Sequence, residues 1–178
     1  MSTLTVLRPD GWAAPAAATF VAARRRPLAG MRLTVIDNGK PRARELLTAI
    51  AEQLVETHRM QSYDVVTKPG ASQSITETQG RNLAAAADVF LTGLGDCAGC
   101  SACSLLDALI LERSGRPATV VISEPFAGRI ASYSRRLGAP GYQVVVVPHP
   151  VASRSPEELL ALAQRAADAV AQRLGDAT

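Results

Sequence analysis

From residue 32 onward, short runs of β-branched and aliphatic residues alternate with longer stretches whose apolar positions recur every three or four residues. The short runs read as strands over Leu33–Ile36, Tyr63–Val66, Val89–Thr92, Thr119–Ile122 and Gln143–Val147. Each is read as apolar on both faces, as suits a parallel sheet covered by helices above and below. Pro41–His58 carries Leu46, Leu47, Ile50, Leu54 and Val55 at helical spacing, and further helices are expected over Ile75–Ala86, Cys100–Arg113 and Phe126–Leu137. Gly115 and Pro117 stop the Cys100–Arg113 helix. The last helix opens with Ser155 as N-cap, Pro156 at the first position and Glu158 at the third, a full capping box. Strict alternation predicts an α/β fold, a doubly wound open sheet of about five parallel strands in three layers, Rossmann- or flavodoxin-like.

Residues 1–30 break this pattern, with Pro9, Gly11, Pro15, Pro27 and Gly30 at no clear period. They are expected to form an irregular N-terminal arm, suited to covering a partner subunit, ahead of a single domain over residues 31–178. The apolar stretch from Trp12 to Ala23 is followed, not preceded, by basic residues, unlike a secretory signal. No run of about eighteen apolar residues is present for a membrane span. A length of 178 residues, 47% of them hydrophobic, supports one domain with a packed core.

A net charge of +3 and 4% aromatics leave little for a nucleic-acid interface, and Arg24–Arg26 and Arg135/Arg136 are read as solvated surface. No nucleic acid and no membrane is expected as a partner. The three cysteines fall within seven residues and do not form a secreted disulfide framework, so a reducing, cytoplasmic setting is expected.

In open parallel sheets the site lies beyond the carboxyl ends of the strands. The loops there carry Asp37-Asn38-Gly39-Lys40, Lys68-Pro69-Gly70, Gly93-Leu94-Gly95-Asp96-Cys97, Ser123-Glu124-Pro125-Phe126 and Pro148-His149-Pro150. Cys97-Ala98-Gly99-Cys100-Ser101-Ala102-Cys103 holds two overlapping C-x-x-C spacings where a glycine-rich turn enters a helix. Backbone N–H groups and the helix dipole favour a thiolate there. Cys97 is the residue best placed to benefit, with Cys100 one turn on as a resolving thiol. Cys103 is read as a buried small residue, or else a third redox partner. The same spacing could hold a metal ion or iron–sulfur cluster through Cys97, Cys100 and Cys103, with Asp96 or His149 as a fourth ligand.

Gly93 and Gly95 lack the third glycine of a dinucleotide fingerprint, and are read instead as letting backbone N–H groups approach an anionic substrate. Lys40 and Lys68 would add positive charge near the thiolate, with Asn38 and Asp96 completing a substrate-binding set. His149 is a candidate acid or base, as is Glu124, which could alternatively cap the fourth helix. His58 ends the first helix, far from these loops, and is read as structural.

Gly95 to Ser104 resembles the UGSC family, selenoproteins and cysteine homologues named for a Sec-Gly-Ser-Cys motif. Further similarity lies in Asp37–Pro41, Lys68-Pro69, Asp107-Ala108, Gly115–Val121, Glu124–Phe126 and Pro148–Pro150, covering about residues 30–175. The resemblance places Cys97 at the selenocysteine position and implies a redox or nucleophilic role for it. The chain departs from the motif in reading Cys-Ala-Gly-Cys, without the motif serine.

Three functions follow as expectations. The first is an enzyme using Cys97 and a resolving Cys100 for thiol redox or reductive cleavage of a small molecule, served by an external thiol reductant or redox partner protein and by no firmly implied cofactor. The second is a hydrolase, lyase or addition enzyme with Cys97 as nucleophile and His149 as base. The third is a metal or persulfide carrier. Exposed sheet edges and the arm suggest a homodimer.

Overall fold

The structure, a computed structural model, describes residues 21–24 and 27–175. Strands and helices alternate as β1 (Arg32–Asp37), α1 (Ala43–His58), β2 (Ser62–Thr67), α2 (Glu77–Ala86), β3 (Val89–Gly95), α3 (Ala98–Arg113), β4 (Ala118–Ser123), α4 (Glu124–Arg136), β5 (Val145–Val147) and α5 (Pro156–Leu174). All strand pairs are parallel, in the order β2-β1-β3-β4-β5. This is the flavodoxin-like arrangement of the doubly wound fold.

Side chains alternate between two cores, one on each side of the sheet. Leu33, Val35 and Leu91 pack with Leu46, Ile50 and Leu54 of α1 and with Leu162 and Val170 of α5. Ile36, Phe90, Val120 and Ile122 point the other way, against Leu105 and Leu109 of α3 and Ile130 of α4. Each fully buried side chain of this size contributes about 1.5–3 kcal/mol. Close packing of α2 on α3 depends on Gly80, where any Cβ would run into Ile110.

The two edge strands depart from the expected doubly buried pattern. β2 contains Asp64 and is largely exposed, Val66 included, while β5 is only three residues long, with Val146 facing solvent. An edge strand has a neighbour on one side only, so its faces are incompletely covered. The expected start of β5 at Gln143 is instead irregular chain following a turn, in which the Tyr142 amide bonds the Ala139 carbonyl and the Tyr142 side chain is drawn into the core. The capping box at Ser155 and Glu158 is present, and α2 has a second one, from Thr76 and Gln79. Among the described residues, no helix is long and apolar enough to cross a membrane.

The described part of the arm lies on its own domain. Ala22 and Leu28 are buried, Leu28 within the core beside α5, so a boundary at residue 30 cuts through packed structure. Arg24 is not a solvated arginine: its guanidinium pairs with the fully buried Glu112 of α3, and its Nε donates to the Arg173 carbonyl. Glu112 also accepts from the amides of Ala22 (2.7 Å) and Ala118 (2.9 Å) and from the Tyr142 hydroxyl (3.2 Å). Arg25, Arg26 and most of the Trp12–Ala23 stretch lie outside the described residues.

Burial, reinforced by the Glu112 carboxylate, pushes the Tyr142 phenol well above its ordinary 10.0. The folded chain therefore keeps this proton where the unfolded chain loses it, so the associated stability is intact below the unfolded value and declines as pH rises past it. In urea unfolding, Tyr142→Phe is expected to cost about 1–2 kcal/mol near neutral pH. That difference should shrink above about pH 10; a constant difference would show that Tyr142 ionises normally.

Candidate functional site

The strand order reverses between β1 and β3, and the loops leaving their carboxyl ends part there. Asn38 ties these loops together. Its amide Nδ2 donates to the Leu94 carbonyl (2.8 Å) and the Ser104 hydroxyl (3.2 Å), while its Oδ1 accepts from the Lys40 amide (3.3 Å). With 1% of its surface exposed, Asn38 fixes the crevice wall and is not open to substrate.

Beyond Asn38, β3 runs three residues further than the β-branched pattern predicts, to Gly95. Gly93 and Gly95 are thus strand residues, and their missing side chains serve packing. A Cβ on Gly93 would crowd Leu47, and one on Gly95 would collide with Ile122 and with Ser101 of α3. Gly95 is what allows the start of α3 to sit directly on the sheet.

Cys97 is the N-cap of α3, with extended backbone (φ −158°, ψ 166°) and its Sγ accepting the Cys100 amide at 3.1 Å. A sulfur thereby takes the place of the usual capping oxygen, and a thiolate is the better acceptor. The Cys97 carbonyl in turn accepts from the Ser101 amide and hydroxyl (3.0 and 2.7 Å). Cys97 and Cys100 are paired as a disulfide, with Cα atoms 5.3 Å apart. Cys97 is half-buried and Cys100 fully buried, so approach from solvent favours Cys97. Cys103 is a free thiol and is not buried as expected; it sits half-exposed one turn further along the helix.

Asp96, next to Cys97, gathers the far side of the site. Its Oδ1 accepts from the Ser123 hydroxyl at the end of β4 (2.5 Å) and lies 2.9 Å from Nδ1 of His149, in the loop after β5. Ser123 Oγ is itself 3.3 Å from that nitrogen. The imidazole is 38% exposed, with the Phe126 ring set edge-on to it. Ser123 occupies the N-cap position of α4 yet makes no capping bond. Its hydroxyl is committed to Asp96, which forgoes a helix cap ordinarily contributing about 1 kcal/mol.

The predicted residues therefore separate. Asp96, Cys97, Cys100 and His149 converge through Asp96; Glu124 lies beside them at the exposed first position of α4. The Lys40 side chain is half-exposed and has no polar partner among the described residues. Lys68 is not a free cation near the thiols. It is buried, its Nζ bonded to Asp107 of α3 (2.5 Å) and to the Gln73 carbonyl (2.7 Å). Asp107 also accepts the Ile75 amide, and burial raises its carboxyl above the ordinary value against the pull of Lys68. Among the described residues, no group of three or more His, Cys, Asp or Glu is arranged to hold a metal ion. Ser123 and Ser101 were missed as site residues, because a serine at a helix start reads as a cap and one inside a helix carries no signal of its partners.

The fold and the site define a flavodoxin-like α/β protein whose third helix starts on a paired C-x-x-C. The chain belongs to the UGSC family, whose profile matches residues 5–176. No curated protein matches it. Among solved structures, a diflavin flavoprotein from Nostoc sp. is 16% identical with a TM-score of 0.45, over 81% of this chain and 93% of that one. A flavodoxin-like domain from Synechococcus sp. is 10% identical with a TM-score of 0.39, over 79% of this chain and 99% of that one.

Removing one partner of the buried Lys68–Asp107 pair leaves an uncompensated charge. Lys68→Met should cost about 3–5 kcal/mol in urea unfolding. Lys68→Met combined with Asp107→Leu should recover part of that loss, the Ile75 amide then being left without its acceptor. Additive costs in the double variant would show that the two side chains do not depend on each other.

Proposed function

We propose that this protein is a cysteine-dependent enzyme in which Cys97 attacks a small electrophilic molecule and Cys100 resolves the adduct. The observation carrying this reading is the Cys97–Cys100 pairing at the helix start, where the Cys97 sulfur receives the Cys100 amide. Family membership supports it through the selenocysteine position that Cys97 matches. The Cys97 thiolate displaces a leaving group from the substrate, forming a sulfur–substrate bond. Cys100 then attacks the Cys97 sulfur, the disulfide forms, and the released fragment takes up a proton. The substrate gains two electrons and the thiols lose them; an external dithiol restores the enzyme.

The phosphate of a bound flavin would need free amides in the loop after β1. There the Asn38 amide bonds the Gly93 carbonyl (3.0 Å), the Gly39 amide bonds Asp37 Oδ1 (2.9 Å) and the Lys40 amide bonds Asn38, so these three donors are occupied and a carboxylate stands among them. These residues do not fit such a group, and no step is assigned to one.

The Asp96–His149 pair favours a second reading, in which Cys97 is a nucleophile for hydrolysis or addition and His149 its base. The first two amides of α3, at Ala98 and Gly99, would then stabilise a developing oxyanion. The readings divide on Cys100.

Intact mass and thiol titration of anaerobically purified wild type, Cys97→Ser and Cys100→Ser test the proposal. A reversible two-proton mass change in wild type, absent from both variants, is the expected result. Substrate turnover surviving in Cys100→Ser would favour the second reading. Stoichiometric metal that vanishes with either substitution would overturn both.

A further inference from the structure

Ser123 ends β4 and Asp96 follows β3, yet their side chains meet at Nδ1 of His149. A carboxylate is an acceptor only, so the imidazole nitrogen 2.9 Å from Asp96 Oδ1 must carry a hydrogen. The Ser123 hydroxyl, 2.5 Å from the same oxygen, spends its own hydrogen there and can meet Nδ1 only as an acceptor. Both contacts therefore require the proton on Nδ1. Ser123 is fully buried, and its capping role at α4 is left unfilled. The Phe126 ring also contacts the imidazole, edge-on with ring centroids 6.1 Å apart.

We infer that Ser123 and Asp96 are positioning residues that hold His149 as its Nδ1–H tautomer and leave Nε2 as the nitrogen that exchanges protons at the thiol site. In water, neutral imidazole prefers its proton on Nε2, so the protein must impose the opposite form. With Nδ1–H bonded to Asp96, neutral His149 offers an Nε2 lone pair as base, and protonated His149 offers an Nε2–H as acid. In the proposed cycle the acid form protonates the group displaced by Cys97, and the resulting neutral form accepts the proton that Cys100 gives up as it resolves the adduct. One proton is donated and one recovered per turnover. The proton-transfer role rests on the function proposed above, whereas the tautomer rests on the hydrogen bonds alone.

The test is long-range proton–nitrogen correlation NMR on the full-length, uniformly nitrogen-labelled protein. The chain has two histidines, so a His58→Gln background leaves the ring signals of His149 alone. Neutral His149 is expected as Nδ1–H in wild type and only partly displaced toward Nε2–H in Ser123→Ala, where the Asp96 carboxylate stays but loses the hydroxyl that orients it, with Ser123→Thr restoring the wild-type form. The rate at which reduced protein cleaves a small aromatic disulfide should fall about tenfold in Ser123→Ala and recover in Ser123→Thr. Asp96→Asn provides a second variant, with the larger tautomer change expected. An unchanged tautomer in folded Asp96→Asn would overturn the inference, as would a changed tautomer with an unchanged rate, and an unchanged tautomer in Ser123→Ala would remove Ser123 from it. Failure of the Cys97 reading shows separately, as disulfide cleavage that survives Cys97→Ser while the tautomer result stands.

Discussion

The structure depends on one constraint, that the polar residues buried along α3 must each find a partner outside the helix. A core helix can carry such residues only if they are satisfied, because an unpaired buried group costs about 1–3 kcal/mol, and more when charged. Ser104 is met by Asn38 from the loop after β1, Asp107 by Lys68 and the Ile75 amide from the loop after β2, and Glu112 by Arg24, Tyr142 and the start of β4. Successive turns of one helix thus anchor the arm and the loops from both halves of the sheet. The thiols stand at the start of that helix, so everything that fixes α3 also fixes them.

This arrangement gives the two thiols different surroundings. Cys97 is half-buried and faces the loop that carries Asp96, whereas Cys100 is enclosed. Gly95 lets the helix start sit against the sheet, and the Cys97 carbonyl is held by both the amide and the hydroxyl of Ser101. The opposite wall is built from β4 and the loop after β5 through Ser123 and His149. Donors preset in this way cost no reorganisation at the moment of reaction.

Much of this frame was legible in the sequence because it follows from periodicity. The central strands β1, β3 and β4 are buried on both faces and read as continuous apolar runs. The Ser155 capping box is a local signal, and so is C-x-x-C at a helix start. What escaped was whatever depends on a partner distant in sequence. Lys68 reads as a site cation until Asp107, 39 residues away, is seen beside it. Arg24 reads as surface until Glu112, 88 residues away, accepts its charge. Asn38 reads as a substrate-binding residue until its amide is seen bonded to Leu94 and Ser104, 56 and 66 residues away, and Ser123 carries no local sign of Asp96. Cys103 was placed in the core on residue type alone, and its turn of the helix remains half-exposed.

The separation of these roles bears on how the thiols can work. The polar anchors of α3 lie at Ser104, Asp107 and Glu112, past the C-x-x-C, so opening the disulfide removes none of them. The disulfide closes a loop with a sequence separation of only 3. In chain-entropy terms so short a loop constrains the unfolded state by only about 2 kcal/mol, against about 3 kcal/mol for a fifteen-residue loop. That is small beside the burial of two apolar cores and the ion pairs that tie the loops to α3. The proposed cycling between dithiol and disulfide would therefore act on a frame whose stability is secured elsewhere.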